Sequence, residues 1–351
     1  MPHASRPTVT LRDVAAAAGV SVATASRVLG GSSRSVAPEY EERVLAAASA
    51  LRYTADAAAR AMRRVSDSIA LVADDLTTPS IGLLVAAMEQ EARSSGAFVT
   101  VSPTGGTPER QLETIRRLRA LRPRALVLTT GRVEAAALGG RLTAELLAYQ
   151  RDGGRVVIVG DTDTDFDSIR FDNRGSAREM GVYVGATGHR RVAVLAGPAG
   201  QAAMTARVEG FVSGLEDTGA GHEQVRIVYS ELTRQGGFDA VRELISGARG
   251  GVDAVVAAND LLAIGGLGAL RAEGISVPRQ LSVTGFDDIQ LAVDVTPRLT
   301  TIGVPLAEAG AEAIRLAVSA RSDRVHLVLR GRLIVRDSTV ARTSDGSITR
   351  L

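Results

Sequence analysis

Four polar residues stand close together near the N-terminus: Ser21, Thr24, Ser26 and Arg27. A serine at the start of a helix accepts a hydrogen bond from a backbone N–H two or three residues later, and the free N–H groups there attract phosphate. Thr24 and Ser26 add hydroxyl donors of the kind that contact phosphates, and a guanidinium donates two parallel hydrogen bonds to the edge of guanine. The chemistry that this group predicts is contact with the backbone and bases of a nucleic acid.

Residues 11–29 predict the two helices that would position these side chains. Apolar residues recur at helical spacing, and the break at Gly19 allows a left-handed turn. Ala15 is small enough for the two helices to cross. The side chains that fill the space between them are Val14, Ala18, Val20, Ala25 and Val28. Pro38 fits the first turn of a third helix that runs to Leu51, so the pattern predicts a helix-turn-helix head.

The composition excludes several kinds of site. The 351 residues include no Cys, which rules out disulfides, zinc-cysteine sites and thiol chemistry. The N-terminus lacks the apolar stretch of a secretion signal, and no apolar run is long enough to cross a bilayer, so we expect a cytoplasmic protein without membrane contact. Residues 1–66 carry a net charge of +4 and the rest −2, as expected if only the head meets phosphates.

Beyond Ser66 the chain alternates apolar runs with amphipathic helical stretches. The predicted strands are Ile69–Ala73, Phe98–Ser102, Ala125–Thr129, Val156–Gly160, Val192–Ala196, Val225–Tyr229, Ala254–Ala257 and Ser282–Phe286. Repeated strand-helix units indicate parallel sheets with helices on both faces. Eight such units are too many for one compact sheet. We therefore predict two doubly wound lobes that face a cleft.

Several motifs resemble those of the LacI/GalR family of bacterial regulators. In the head they are Val9–Ala15 and Gly19–Leu29, followed by Leu51-Arg52-Tyr53 and Ala59–Arg63. In the body they are, in order, Gly188–Arg191, Arg207–Phe211, Ala258-Asn259-Asp260, Val277-Pro278, Leu281–Val283, Gly285–Asp288, Pro297, Leu299–Ile302 and Arg336–Thr339. The resemblance therefore covers almost the whole chain.

The resemblance implies a fold and a function. The fold is an all-α helix-turn-helix DNA-binding head, residues 1–66 with a hinge helix at about 56–64, and a two-lobed α/β periplasmic-binding-protein-like effector and dimerisation domain, residues 67–351. The function is sequence-specific transcription regulation by a homodimer on a pseudo-palindromic operator. We expect a repressor that a small molecule, by family default a sugar or a derivative, releases from DNA by binding between the lobes.

The resemblance also assigns residues to DNA. Val22 and Ala23 occupy the main base-reading positions, where apolar side chains can contact a thymine methyl group but cannot form bidentate hydrogen bonds. We therefore expect Arg27 to supply the polar base contact, with a phosphate contact or an intrahelical ion pair as alternatives. Thr10 is also expected to contact DNA. The expected DNA contacts of the hinge helix are Ala59, which allows the helix to approach the minor groove closely, Met62, which replaces the family's usual minor-groove Leu, and Arg63.

In the effector cleft, Arg207 and Asp287 match family positions that hold the small molecule. A guanidinium facing a carboxylate suits hydroxyls or an anionic group. Asn259 adds an amide that can donate and accept, and Phe171 offers an apolar face. Asp75 and Ser80, in the first loop of the body, complete the expected set: Asp75, Ser80, Phe171, Arg207, Asn259 and Asp287. For Asp75 a solvated loop carboxylate is an equal alternative.

One other function remains open at this point. A small-molecule binding protein of the transport type would share the two-lobed cleft, although the head and the missing secretion signal argue against it. No nucleophile-base-orienter set, phosphate loop or metal cluster is present, so we expect no enzyme, no metal and no cofactor.

Overall fold

The computed structural model describes residues 9–29, 36–51, 53, 66–219, 225–246, 251–342 and 348–349. The chain forms two compact units, Met1–Ser66 and Asp67–Leu351, and each has its own hydrophobic core. The predicted hinge helix and its DNA contacts Ala59, Met62 and Arg63 lie outside the described residues. Within the described ranges, no helix is long and apolar enough to cross a membrane.

The described residues of the first unit form three helices, α1 (Leu11–Ala18), α2 (Val22–Leu29) and α3 (Pro38–Ala50). Gly19 ends α1 with a φ of +62°, a conformation that glycine adopts without strain. The core consists of small and β-branched side chains from all three helices: Val14, Ala15, Ala18, Ala25, Val44 and Ala48. Val20 and Val28 pack against it. The predicted helices, turn and interhelical residues are confirmed.

The second part of the chain alternates strands and helices. In order they are β1 (Ser66–Ala73), α4 (Pro79–Ser94), β2 (Phe98–Pro103), α5 (Pro108–Ala120), β3 (Pro123–Val133), α6 (Arg141–Arg151), β4 (Arg155–Thr162), β5 (Asp167–Phe171), α7 (Asn173–Ala186), β6 (Val192–Ala196), α8 (Ala202–Glu216), β7 (Val225–Tyr229), α9 (Arg234–Ser246), β8 (Ala254–Ala257), α10 (Asp260–Ala272), β9 (Ser282–Thr284), α11 (Leu291–Asp294), β10 (Thr301–Gly303), α12 (Leu306–Val318), β11 (His326–Leu329), β12 (Arg332–Ile334), β13 (Ala341–Arg342) and β14 (Ile348–Thr349). All eight predicted strands are present.

These elements form two lobes, each with one larger sheet. The first sheet has the order β11-β5-β4-β3-β1-β2 and the second has the order β7-β6-β8-β9. In β1, Ile69 and Leu71 face a core shared with α4 and α12, whereas Ala70 and Val72 face a core shared with α5 and α6. Both faces of the strand are therefore covered, which explains its continuous apolar sequence. The prediction of doubly wound parallel sheets is confirmed.

The chain passes between the two lobes three times. It leaves the first sheet after Phe171, returns to it after Gly303, and leaves it again after Leu329. β10 and β12 pair with each other in an antiparallel ladder within the second lobe. Three connecting segments therefore lie side by side between the lobes, an arrangement suited to hinge motion.

Helices α7 and α8 pack closely because glycines face each other. A β-carbon at Gly181 would overlap the carbonyl oxygen of Phe211, and one at Gly214 would overlap that of Arg178. This contact sets the distance between α7, which begins at Asn173, and α8, which carries the predicted cleft residue Arg207.

Candidate functional site

Ser21 begins the second helix of the head, as predicted. Its hydroxyl oxygen accepts a hydrogen bond from the Thr24 backbone N–H at 3.0 Å, and it lies 2.9 Å from the Thr24 hydroxyl. A serine N-cap leaves the first N–H groups of α2 directed out of the helix. The start of α2 can therefore receive a phosphate.

One face of α2 is free of the core. Val22 is 45% exposed, Ala23 and Arg27 are exposed, and Ser26 is half-buried. Residues four apart share a helix face, so these side chains form a single surface. No acidic residue stands three or four positions from Arg27, which excludes the intrahelical ion pair considered above.

Thr10 caps the first helix. Its hydroxyl donates to the Asp13 carboxylate at 2.7 Å, and the Asp13 carboxylate also accepts from the Thr10 N–H at 2.7 Å. These hydrogen bonds from Thr10 lower the pKa of Asp13. The Thr10 side chain is thus engaged in holding the start of α1.

Arg207, on α8, lies at the centre of a buried polar cluster in the second lobe. Its Nη1 is 3.1 Å from the Asp287 carboxylate and donates to the Ala258 carbonyl oxygen at 2.6 Å. Its Nε donates to the Asn173 side chain at 2.9 Å, and the guanidinium lies 3.9 Å from the centre of the Phe286 ring. The predicted pairing of Arg207 with Asp287 is present.

Burial acts on both members of this pair. It lowers the pKa of Arg207 and raises the pKa of Asp287, and the attraction between the two charges opposes both shifts. Each charge is stable in the interior because the other is present. Arg207 can donate a hydrogen bond to a ligand hydroxyl, and the Asp287 carboxylate can accept one from it.

Asn259 is buried and caps α10. Its side-chain oxygen accepts from the Leu262 N–H at 2.9 Å. One lone pair of this oxygen is used by the helix. The second lone pair and the amide NH₂ remain for a ligand, so the expected role of Asn259 as both donor and acceptor stays a prediction.

Asp260 belongs to the Ala258-Asn259-Asp260 motif but was not predicted as a site residue. It is fully buried, and its carboxyl accepts from the Thr301 hydroxyl at 2.6 Å and from the Ile289 N–H at 2.8 Å. Burial, followed by the negative charge of Asp287, raises the pKa of Asp260 to about 8. The signal in the sequence is an acid directly after an N-cap asparagine and a buried strand, which predicts a helix start but not burial.

Asp260 should make stability depend on pH. A folded-state pKa of about 8, above the usual 3.8, means that this group stabilises the fold fully below about pH 4 and less as pH rises toward 8. We expect the free energy of unfolding of Asp260→Asn to fall less between pH 5 and pH 8 than that of the wild type, measured in urea. The exposed Asp323→Asn is the control. Equal slopes for Asp260→Asn and the wild type would mean that Asp260 is ionised throughout.

The first lobe contributes three expected residues. Asp75 is an exposed loop carboxylate that accepts from the Thr77 N–H at 2.8 Å and from the Thr78 hydroxyl at 2.6 Å. Burial works to raise its pKa, but the hydrogen bonds from Thr78 and Thr77 outweigh burial and lower it. Ser80, in the first turn of α4, and Phe171, at the end of β5, are half-buried.

Most of the expected cleft residues share one topological position. Asp75, Phe171, Asn259 and Asp287 lie at or just after the carboxyl ends of β1, β5, β8 and β9. Ligands of doubly wound sheets bind at this edge. The structure brings Arg207 and Asp287 into contact and links them to the segment of Asn259, whereas Asp75 is bonded within its own loop.

Three further hydroxyls occur toward this edge. Thr129 on β3, Ser230 directly after β7 and Thr284 at the end of β9 have buried side-chain oxygens that lack a hydrogen-bond partner among the described residues. A buried hydroxyl without a partner is unfavourable and is usually satisfied by a ligand or water. No local pattern marks these three residues in the sequence.

Known protein families match both units of the chain. A family model described as "Bacterial regulatory proteins, lacI family" matches residues 10–56, and one described as "Periplasmic binding protein-like domain" matches residues 183–339. The regulator CelR of Thermobifida fusca is 32% identical over 96% of this chain and 100% of its own. The chain belongs to the LacI family. GalR of Escherichia coli is 30% identical over 90% of each chain.

Solved structures of LacI-family members show the same fold. The lac repressor dimer bound to operator and the anti-inducer ONPF has a TM-score of 0.82 at 24% identity, covering 95% of this chain and 99% of its own. The CelR–cellobiose complex has a TM-score of 0.66 at 29% identity, covering 95% and 100%. The LacI-family resemblance and the predicted fold class are confirmed.

Family membership decides between the two functions left open by the sequence. The chain is a helix-turn-helix transcriptional regulator, as its relatives are. The transport-type binding protein is not supported. The relatives compared are regulators rather than enzymes, which agrees with the expectation of a non-enzyme.

Proposed function

We propose that this LacI-family regulator is a homodimeric repressor, working in the cytoplasm on a pseudo-palindromic operator. The observation that carries the proposal is the free face of α2, where Val22, Ala23 and Arg27 are exposed. Val22 and Ala23 contact thymine methyl groups, and Arg27 supplies the polar base contact. Ser21, Thr24 and Ser26 lie toward the backbone phosphates.

The hinge forms part of the proposed DNA interface. Met62 would insert between base pairs in the minor groove, Ala59 would allow close approach, and Arg63 would follow the groove floor. Thr10 acts mainly as the cap of α1, so we assign it a supporting position at the DNA.

A neutral hydroxylated ligand is the effector that the second lobe favours. The charge of Arg207 is already balanced by Asp287 at 3.1 Å, so an anionic ligand would find no uncompensated cation there. A sugar hydroxyl can accept from Arg207, donate to Asp287 and accept from the Asn259 amide. Ser80, Phe171 and Asp75 complete the proposed site from the first lobe. The complex of CelR with cellobiose supports a sugar.

Two experiments test this function separately. Selection from a library of palindromic DNA should yield one operator that the full chain shifts in a gel and that residues 67–351 alone do not shift. Equal shifts by both chains would contradict the regulator proposal.

A panel of sugars, including cellobiose, should contain one that stabilises the protein and releases the operator. A ligand at about 100 times its Kd adds about 2.7 kcal/mol to the free energy of unfolding, so the Tm rises measurably. If no sugar raises the Tm, the effector class is wrong while the DNA result stands.

A groove in the second lobe supports the dimer. It has a volume of about 440 Å³ between α9 and α10 and is lined by Phe238, Ile264, Leu267 and Val295 with Arg234 and Arg271 at its sides. Next to it, Leu291 and Val293 are each 45% exposed. Apolar grooves beside exposed apolar side chains are typical of interfaces. We propose that a second copy covers this surface.

Val293→Asp should weaken the dimer. Because the side chain is exposed, the change alters the folded monomer little, but it places a charge in the proposed interface. We expect the dimer dissociation constant to rise about tenfold, measured by sedimentation. Leu121→Asp, at a residue 65% exposed on the first lobe, is the matched control. Equal dimer stability in both variants would place the interface elsewhere.

A further inference from the structure

Two adjacent residues after β9 have backbone conformations that non-glycine residues rarely adopt. The φ angles of Asp287 and Asp288 are +110° and +58°. Such conformations are unfavourable and persist where the surrounding structure holds them, often at functional sites. Here the strained pair includes the carboxylate that faces Arg207.

The backbone on both sides of the pair is held by hydrogen bonds. The Asp287 N–H donates to the Ile302 carbonyl at 2.9 Å, and the Val304 N–H donates to the Asp287 carbonyl at 3.4 Å. The Ile289 N–H donates to the Asp260 carboxyl. These bonds tie the turn to the start of the second crossing between the lobes.

The side chain of Asp288 supplies one more restraint. Its carboxylate lies 2.7 Å from Nη2 of Arg336, and the two side chains are only 26% and 14% exposed. Nη1 of Arg336 donates to the Leu299 carbonyl at 2.9 Å, and its backbone N–H donates to Thr300 Oγ1 at 2.9 Å. Arg336 follows β12, the strand that returns from the first lobe. It belongs to the Arg336–Thr339 motif, for which no role was predicted from the sequence.

We propose that Arg336 is a positioning residue for the effector site. By pairing with Asp288 it holds the left-handed turn and keeps the Asp287 carboxylate against Arg207, while both of its own terminal nitrogens are used by protein groups. Without the pair, the strained backbone relaxes and the carboxylate moves. This inference rests on the proposed role of Asp287 in effector binding.

Two single variants break the pair from opposite sides. Arg336→Met removes the cation, and Asp288→Asn removes the charge while keeping the size of the side chain, so one remains informative if the other fails to fold. The double variant Asp288→Gly/Arg336→Met lacks the pair but places glycine where φ is +58°, which glycine adopts without strain. Arg298→Met is the matched control, because Arg298 pairs with Asp337 at 2.6 Å on the same segment but is 60% exposed.

The first measurement is amide hydrogen exchange in the full chain without any sugar. Both single variants should lose protection at Asp287 and Val304 by about tenfold, and the double variant should regain it. Protection in β8 should stay unchanged in all variants, as should protection of the turn in Arg298→Met. Unchanged protection of the turn in both single variants overturns the proposal, and so does a double variant that stays unprotected.

The second measurement is the dissociation constant of cellobiose. It should rise about tenfold in Arg336→Met and Asp288→Asn and return toward the wild-type value in the double variant. Lost protection with unchanged cellobiose affinity would make Arg336 structural only and overturn the positioning role. If the wild type does not bind cellobiose, cellobiose is excluded as the effector and hydrogen exchange alone decides the inference.

Discussion

Replacing Arg207 by Met should lower the free energy of unfolding by about 3–5 kcal/mol at pH 7. The change leaves the Asp287 carboxylate buried without its cation, and it also removes the donors to the Asn173 side chain and the Ala258 carbonyl. Methionine fills much of the same volume, so the loss reflects charge and hydrogen bonding rather than a cavity. Urea denaturation measures it.

The double variant Arg207→Met/Asp287→Asn is the control for this prediction. Removing both charges should recover at least half of the loss, because a neutral buried pair avoids the uncompensated charge. In the single variant the deficit should shrink as pH falls, since a buried carboxyl with a raised pKa takes up a proton in the folded state. Both variants should fail to bind the sugar effector. A single variant as stable as the wild type at pH 7 would show that the pair is not desolvated.

Replacing Arg27 by Ala should lower operator affinity about 10-fold to 100-fold, or about 1–3 kcal/mol. The reading face of α2 offers apolar Val22 and Ala23 beside Arg27, so few other side chains can replace its hydrogen bonds to a base. The preference at one operator position should be lost as well. Fluorescence anisotropy with the operator and its single-base variants measures both effects.

Arg43→Ala is the matched control for Arg27. Arg43 lies on α3, with its guanidinium 5.8 Å from the centre of the Tyr40 ring, so the change removes one positive charge from the same unit at a residue outside α2. It should weaken binding less and equally for all operator sequences. A uniform loss in Arg27→Ala would instead assign Arg27 to a phosphate.

The head could be predicted in detail from the sequence. Its steric requirements, a small residue at Ala15, glycine at the turn and apolar residues between the helices, all fall within a stretch of about twenty residues. Local patterns of this kind depend on side-chain size and helical spacing, which are read directly from the chain. The Ser21 cap could be predicted for the same reason, because it is also a local feature of the chain.

The sheets could be predicted only in part. The predicted strands are mainly apolar, whereas the two strands of the larger sheets that were not predicted, β5 and β11, begin with the polar residues Asp167 and His326. These two strands pair with each other across more than 150 positions, and Asp167 is fully buried beside Arg155. Strand pairing over that distance leaves no periodicity in either segment.

The effector site, too, could be predicted only in part. The motifs named Arg207 and Asp287, but not their burial or the close contact with Asn173. The sequence could not show that Asp260 is buried beside this cluster. Each of these facts depends on residues that are distant in the chain and meet only in the folded second lobe.

The free face of α2 and the alternation of strands and helices are properties of neighbouring residues, and the sequence by itself determined them. The conformation of the Asp287–Asp288 turn, with φ angles of +110° and +58°, and its anchor at Arg336 were decided only by the tertiary structure. The physical reason is that backbone strain and buried charge are stable only where distant segments supply the compensating contacts.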